Sequence, residues 1–358
     1  MTTKDIHIII VGASWYGDWA RDVHFTLQKM GVSVEIVYTN SIADAAGGSS
    51  QSFRSKVFNL GKKIVRKASG RLFNRLKNVR AKAAAGEVME RVNNYPDKTK
   101  QIFVLCVWTP LEPHVLEALR EKKVRCLLWQ GEPPIDNARW APSFDHCEHV
   151  FVIEEGYLEY FPAHVLPKVS ILPLATNDSV HYSLEEVSPQ FVSEVSFIGL
   201  YRHGRADILS VLQEFDIKIY GHGWEEGFES FPWLKKAYQG PLTAEQTNEV
   251  FNGAQISIGR LALGFTPEVG QTTNQRVFDI SCANAFQLTQ YIPSTEKFFG
   301  DAVVTFDSKE SLHNLAKHYL DHQEERKILA KRAHAITLKN HTYRARIEEI
   351  FRIINITQ

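Results

Sequence analysis

The sequence predicts an α/β protein made of two doubly wound, Rossmann-like domains. Short runs rich in Val and Ile, beginning with IHIIIVG and VSVEIVY, alternate along the chain with amphipathic segments of helix length. Strands that are apolar almost throughout are typical of parallel sheets covered by helices on both faces. The chain has 358 residues, enough for two domains of about 150–200 residues each.

The strands fall into two series separated by a polar, Pro-containing stretch, Leu174 to Phe191. We therefore expect an N-terminal domain over 1–178, a C-terminal domain over 190–340, and a last helix over 341–358 that packs back toward the first domain. The first series is IHIIIVG, VSVEIVY, QIFVLCVW, VRCLLWQ, HVFVI and VSILPL. The second is VSFIGL, DIKIYG, AQISIG, FQLTQ and AVVTF.

The bulk composition is that of a globular protein, with 44% hydrophobic and 23% charged residues, which excludes collagen-like, disordered and membrane-spanning classes. The N-terminus enters a strand without the apolar run of a signal peptide, so we expect a cytoplasmic protein. Three of the four cysteines lie in apolar runs, which favours buried free thiols over disulfides or structural zinc. The stretch DHCEH, Asp145 to His149, leads into a strand whose side chains alternate, so a metal site there is disfavoured.

An insert over about residues 50–90 is strongly basic, and Phe53 to Lys82 contains no acidic residue. Its apolar residues recur every three or four positions, which predicts one or two basic amphipathic helices. Three interpretations stay open. The helices bind an anionic membrane surface, peripheral at its inner face; they bind a polyanion such as DNA or a phosphate-rich glycopolymer; or they pack on the core with a solvated outer face.

The stretch TTNQRVFDISCANAFQLT places polar residues inside an apolar segment. Thr273 or Asn274 can cap a helix, and Asn284 tolerates the left-handed conformation that ends one. Arg276 and Asp279 then lie one turn apart, and one interpretation is a surface ion pair worth a few tenths of a kcal/mol. The other is a ligand site at the carboxyl edge of a sheet, where Asp279 accepts hydrogen bonds from a ribose diol and Arg276 binds phosphate.

Two further turns follow strands of the second domain. Arg202, Gly204 and Arg205 are expected to form a flexible turn, either a diphosphate clamp or a solvated basic loop. In IYGHGW, Gly221 and Gly223 would let the backbone approach a ligand closely, or would simply form a tight turn.

The first domain offers two candidate carboxylates. VGASWYGDWARD is not a G-x-G-x-x-G turn, so a dinucleotide cofactor is disfavoured. Asp18 in this loop would contact an acceptor substrate, with Trp15, Tyr16 and Trp19 stacked on sugars. In the alternative interpretation Ser14 or Asp18 caps the helix that follows, and the aromatic residues are buried in the core. In LLWQGEPP, Glu132 follows a strand, where it would act as a base, stabilise an oxocarbenium ion or position the substrate.

These residues carry a resemblance. NQRVFDISCANAFQLTQ resembles the segment N-x-R-x-F-E-x-x-x-x-G-A-F-Q-L-T of the CgeB-like glycosyltransferases, which have a glycosyl transferases group 1-like C-terminal domain. VSFIGLYRHGR, IKIYGHGW, AQISIG, YLDHQEER and NHTYRAR follow that family's order, so the resemblance covers about Val195 to Arg346. LLWQGEPP and ILPLATN extend it loosely into the first half. Asp279 replaces the family's Glu, and Asn284 replaces its Gly.

The resemblance implies a GT-B fold, in which two Rossmann-like domains face each other across a cleft. It implies a metal-independent, hexosyltransferase-like and retaining enzyme with no tightly bound cofactor, whose donor is a nucleotide sugar such as a UDP-sugar. The second domain would bind the diphosphate through Arg202, Arg205 and Arg276 and the ribose through Asp279. The first domain would bind the acceptor, which is a glycan, a polymer, a protein or a modified nucleic acid.

Two alternative functions are compatible with the same two-domain fold. One is a catalytically weak or inactive GT-B-like protein that binds nucleic acid or an anionic membrane through residues 53–82. The other is a glycosyltransferase that acts on modified DNA bases.

Overall fold

A computed structural model describes residues 1–13, 19–39, 70–108, 110–132, 137–261 and 272–357. Asp18 and most of the basic segment 53–82 lie outside these residues, and the part of that segment from Gly70 onward belongs to a helix. The chain packs as two units. Unit 1 comprises Met1–Leu172 and Ile347–Gln358, and unit 2 comprises Pro173–Arg346.

Unit 1 contains a six-stranded parallel sheet in the order β2-β1-β3-β4-β5-β6. Its central strands are buried along most of their length, as expected for a sheet covered on both faces. The strands are β1 Ile6–Gly12, β2 Ser33–Tyr38, β3 Gln101–Trp108, β4 Arg125–Gln130, β5 His149–Val152 and β6 Val169–Ile171. The helices are α1 Trp19–Lys29, α2 Gly70–Asn94, α3 Pro113–Glu121 and α4 Asn137–His146.

Unit 2 contains a second six-stranded parallel sheet, in the order β12-β11-β10-β7-β8-β9. The strands are β7 Ser193–Ile198, β8 Ile217–Tyr220, β9 Tyr238–Gly240, β10 Ala254–Ile258, β11 Gln287–Gln290 and β12 Val304–Phe306. The helices are α5 His203–Leu209, α6 Leu234–Ala237, α7 Ala244–Gly253, α8 Gln275–Cys282, α9 Pro293–Phe299, α10 Lys309–Asp321 and α11 Gln323–Asn340. Strand β9 is absent from the sequence prediction because YQG is too short to show a pattern.

The last helix, α12, spans Tyr343–Ile353, and its residues from Ile347 onward belong to unit 1. The apolar side chains predicted at helical spacing are buried, and together with core residues of β1, β3, β4 and α1 they line a small apolar cavity. Those side chains are Ile347, Ile350, Phe351 and Ile354.

The strand order places a topological switch point in each sheet. In unit 2 the chain runs outward from β7 through β8 to β9 and then returns to β10 on the other side of β7. In unit 1 the same reversal occurs between β1 and β3. Parallel sheets bind ligands at the carboxyl ends of the strands that flank such a point. The segments after β7 and β10, and after β1 and β3, are therefore where functional residues are expected.

All four cysteines are buried free thiols. Of the helices in the described residues, none combines the length and the apolar character needed to cross a membrane.

Candidate nucleotide-binding site

Helix α8 is built as the sequence predicted. The side chain of Asn274 caps it by accepting a hydrogen bond from the backbone N–H of Val277 (3.4 Å). Asn284 follows its end with φ +58°, the left-handed conformation that Asn tolerates. Val277, Phe278 and Ile280 are fully buried, so one helix face packs into the unit. The cap and the apolar face together fix the direction in which the other side chains of α8 point.

Arg276 lies across the ends of the two strands that flank the switch point of unit 2. Its guanidinium donates a hydrogen bond to the carbonyl of Gly259, just after β10 (2.8 Å), and lies over the ring of Phe197 in β7, 5.0 Å from the centroid. A Cβ atom at Gly199, just after β7, would lie 3.0 Å from the same guanidinium. Burial and the nearby charge of Arg205 lower the pKa of Arg276 to about 9. The side chain is therefore still a cation at neutral pH.

Arg205 bridges the same two strand ends. Its Nε donates to the carbonyl of Leu261, after β10, and its guanidinium donates to the carbonyl of Leu200, after β7, each at 3.0 Å. Two guanidinium groups thus lie at one switch point, and each is held there by a main-chain carbonyl. Because like charges raise each other's cost of burial, this arrangement favours binding of an anion.

The predicted flexible turn at Arg202–Arg205 is wrong. Arg202 is the N-cap residue of α5, and Gly204 and Arg205 lie in the first turn of that helix. A helical backbone fixes the origin of the Arg205 side chain, whereas a turn would leave it free. Arg202 differs from Arg205, because it is exposed and its guanidinium donates to the carbonyl of its neighbour Tyr201 (2.9 Å).

Gly221 and Gly223 shape the backbone beside this site. Gly221 has φ +128°, and a Cβ atom there would lie 2.0 Å from the carbonyl oxygen of Gly199. Gly223 has φ +84°. The backbone N–H of Gly199 donates a hydrogen bond to the backbone carbonyl of Tyr220 (2.9 Å), and the N–H of Tyr201 donates to the carbonyl of His222 (3.0 Å). The tight-turn interpretation therefore explains Gly221, which lets the ends of β7 and β8 approach closely.

Asp279 is buried one turn along α8 from Arg276. Its Oδ1 accepts a hydrogen bond from the hydroxyl of Thr176 (2.7 Å) and lies 3.6 Å from Nε2 of His181. Burial raises the pKa of Asp279, while His181, Thr176 and Arg276 oppose that rise. Asp279 is only 9% exposed, so the interpretation as a surface ion pair is wrong. Sequence reasoning missed Thr176 and His181, although ILPLATN, which contains Thr176, carried part of the resemblance.

The candidate residues of unit 1 are less closely defined. Glu132 is exposed and follows Gly131 at the end of β4, where its backbone carbonyl accepts from the Gln130 side chain (2.8 Å). Asp18 lies outside the described residues. Trp19 is 5% exposed and packs edge-on against Trp129, with 4.6 Å between ring centroids. For Trp19 the structure therefore supports the core interpretation rather than stacking on a sugar.

Within DHCEH, the side chains of Asp145, Cys147 and His149 have separate partners. Asp145 pairs with His164 (2.7 Å), the Cys147 thiol donates to the carbonyl of Ser143 (3.4 Å), and His149 contacts the Ser170 hydroxyl (2.9 Å). They do not converge on one point. Elsewhere in the described part of the chain, His318, His322 and Glu325 come close together, exposed at the junction of α10 and α11.

Two α/β units, each with a six-stranded parallel sheet and a switch point, define the two-domain GT-B fold. Residues 202–352 match the family model described as "Glycosyl transferase-like". No curated protein sequence matches the chain.

Several solved structures share the fold over nearly the whole chain. Sucrose-phosphate synthase from Thermosynechococcus elongatus is 10% identical with a TM-score of 0.65, and 98% of each chain is covered. A glycosyltransferase from Rickettsia africae is 10% identical with a TM-score of 0.62, covering 98% of this chain and 99% of that one. Anabaena HepE, solved in complex with UDP and glucose, is 9% identical with a TM-score of 0.59, covering 98% and 99%. At these identities the likeness establishes the fold alone.

Proposed function

We propose that this protein is a glycosyltransferase that moves a sugar from a nucleotide-sugar donor to an acceptor hydroxyl with retention of configuration, without a metal or a tightly bound cofactor. The observation that carries the proposal is the pair of guanidinium groups, Arg205 and Arg276, at the switch point of unit 2. Both lie in the segment that matches the glycosyl transferase-like model. HepE, which shares the fold, was solved with UDP-glucose, which supports a UDP-sugar as donor, and the quoted motifs support a CgeB-like enzyme.

The donor diphosphate is the anion that these arginines fit. During transfer the bond between the anomeric carbon and the diphosphate oxygen breaks, and its electron pair stays on the diphosphate. The acceptor oxygen forms the new bond to the anomeric carbon, and the acceptor proton passes to the leaving diphosphate. Negative charge therefore grows beside Arg205 and Arg276, and fixed cations stabilise a transition state of that kind. Arg202, near the same strand end, extends the set.

Asp279 completes the donor site by accepting hydrogen bonds from the ribose hydroxyls. One of its carboxylate oxygens, Oδ1, already accepts from Thr176, and the other is assigned to the nucleotide. Asn274 contributes by capping α8, which positions Arg276 and Asp279 on the same helix. Gly221 contributes indirectly, by letting the ends of β7 and β8 approach closely, and Gly223 is assigned backbone that borders the donor.

The acceptor is assigned to unit 1. Glu132 is exposed at the carboxyl end of β4, where its carboxylate can accept a hydrogen bond from an acceptor hydroxyl and so orient it. Asp18 is assigned a contact with the acceptor on the sequence alone.

The test is UDP affinity of Arg276→Gln and Arg205→Gln, measured by titration calorimetry. Hydrogen bonds to charged groups contribute about 1.5–3 kcal/mol, so each substitution is expected to weaken UDP binding by about 10- to 150-fold. Arg352→Gln is the matched control, because Arg352 is exposed in unit 1 and pairs with Glu349 (2.6 Å). Wild-type affinity for UDP in both variants would refute the assignment of the diphosphate site.

The identity of the nucleotide is tested by thermal shift with a panel of nucleotides and nucleotide sugars. A ligand at a hundred times its dissociation constant adds roughly 2.7 kcal/mol of stability. A uridine diphosphate sugar is expected to give the largest shift. No shift with any nucleotide sugar would contradict the proposed function.

A further inference from the structure

Trp108 adopts a backbone conformation that its side chain disfavours. It is the last residue of β3 and has φ +86°. Positive φ is ordinary for glycine and tolerated by asparagine, whereas for a bulky aromatic residue it is a genuine outlier. Such strain persists only when the surrounding structure holds it in place, and it is concentrated at functional sites.

Residues from two other elements hold the Trp108 ring. It packs edge-on against Trp19 at the start of α1, with 5.7 Å between centroids and 84° between planes. Gly131 directly follows β4, and a Cβ atom there would lie 2.5 Å from the Trp108 ring and 2.8 Å from the Trp19 ring. Only glycine at 131 leaves room for the two indoles. Trp108 is nevertheless 39% exposed, so its ring is fixed in position while part of it faces solvent.

This ring lies at the switch point of unit 1. There the chain has added β2 on one side of β1 and then adds β3 on the other side. Glu132 is exposed and follows Gly131, so its Cα atom lies about 3.8 Å from the Cα atom beneath the ring. An aromatic face beside a carboxylate suits a sugar. The apolar face of a pyranose packs on the ring, and its hydroxyls donate to the carboxylate.

Nucleic acid suits this surface less well. Binding of a phosphate backbone needs Lys or Arg near the stacked base. In the described stretches that follow the two strand ends, 110–112 and 131–132, the charged residues are Glu112 and Glu132, and both are exposed. Negative charge at this position repels phosphate but leaves neutral sugars free to bind.

We propose that Trp108 is the platform on which the acceptor stacks, that Glu132 accepts a hydrogen bond from one of its hydroxyls, and that the acceptor is a carbohydrate. This inference rests on the proposed function, because it names the acceptor class for the same enzyme. It assigns the strained backbone of Trp108 a purpose, which is to present an indole face at the edge of the sheet.

The central variant is Trp108→Gly. Glycine adopts φ +86° without strain, so this change removes the ring without asking the backbone to move. Phe25→Ala is the control, because Phe25 is also 39% exposed but lies on α1 away from the strand ends. Trp108→Phe keeps a smaller ring and is expected to give an intermediate result.

Binding is measured on a glycan array with labelled full-length protein, followed by titration with the best free oligosaccharide. Trp108→Gly is expected to weaken that binding at least tenfold, while its UDP affinity stays at the wild-type value. Its melting temperature is expected to change little, because relief of the backbone strain offsets the lost contact with Trp19. Phe25→Ala is expected to match the wild type.

Three results would overturn the inference. The first is unchanged oligosaccharide binding by Trp108→Gly. The second is a large fall in its melting temperature, since the ring would then be part of the core. The third is wild-type protein that binds no glycan, or that binds single-stranded DNA instead. Failure of the proposed function is distinguishable, because it appears as wild-type protein that binds no nucleotide or nucleotide sugar.

Discussion

His341 should make the stability of the protein depend on pH. This residue connects α11 to α12, and its side chain is 6% exposed and packs against the rings of Phe278, Phe298 and Phe299. Its Nδ1 accepts a hydrogen bond from the Arg346 guanidinium (2.8 Å), so the ring must be neutral. Protonation would place a second cation against Arg346 in an apolar environment. Burial and that neighbouring charge lower the pKa of His341 to about 3.

The magnitude follows from proton linkage. An unfolded histidine has a pKa of about 6.5, so between that value and about 3 the unfolded state binds a proton that the folded state does not. The contribution of His341 to the free energy of unfolding is therefore fully present above about pH 6.5. Below that value it decreases by about 1.4 kcal/mol for each pH unit. From pH 7 to pH 5 this residue alone should remove about 2 kcal/mol.

The assay is urea unfolding of wild type and His341→Asn at pH 7 and pH 5. The asparagine carbonyl can accept the hydrogen bond from Arg346, but the side chain does not titrate, so the variant should lose about 2 kcal/mol less than wild type between the two pH values. His318→Asn is the control, because the side chain of His318 is 45% exposed, and it should follow wild type. If His341→Asn and wild type lose the same free energy, the reasoning is refuted.

Two further substitutions address the donor site. Asp279→Asn keeps an acceptor for the Thr176 hydroxyl but removes a buried charge, so we expect about a 10- to 100-fold loss of UDP affinity without a lower melting temperature. Calorimetry showing unchanged UDP affinity would remove Asp279 from the ribose site. Gly221→Ala should cost about 3 kcal/mol or more, because both its φ and the Gly199 carbonyl oppose a Cβ atom. Gly240→Ala, with φ +97° but open space, should cost about 1–2 kcal/mol, and equal losses in urea unfolding would show that the close contact is unimportant.

The parts of the fold that the sequence predicted are those set by local chemistry. The caps of α8 follow from Asn274 and Asn284, whose side chains satisfy the backbone at a helix start and tolerate its left-handed end. The long buried strands follow from runs of Val and Ile. These signals act within a few residues, so a single sequence contains them.

Other features depend on residues far apart in the sequence, which is why local patterns did not reveal them. Thr176 contacts Asp279 across 103 positions, and no spacing rule connects the two. The first turn of α5 contains a glycine, Gly204, which suggested a flexible turn. Arg205 is nevertheless tied to Leu261 across 56 positions. From the sequence QIFVLCVW, Trp108 is interpreted as the apolar end of a strand. That segment indicates neither the positive φ of Trp108 nor that Gly131 lies beneath its ring.

The residues whose burial or backbone strain lowers stability lie, in both units, near the carboxyl ends of strands that flank a switch point. In unit 2, Arg276 is a cation partly buried beside a second cation, and Asp279 is a carboxylate whose pKa burial raises. In unit 1, Trp108 is strained. Arg276 and Trp108 lie at carboxyl strand ends flanking a switch point, and Asp279 is one helical turn from Arg276. A sequence selected for stability alone would replace such residues with neutral or unstrained ones, because local rules are broken mainly where function requires it. Their positions therefore support a ligand at each edge independently of any likeness to other proteins.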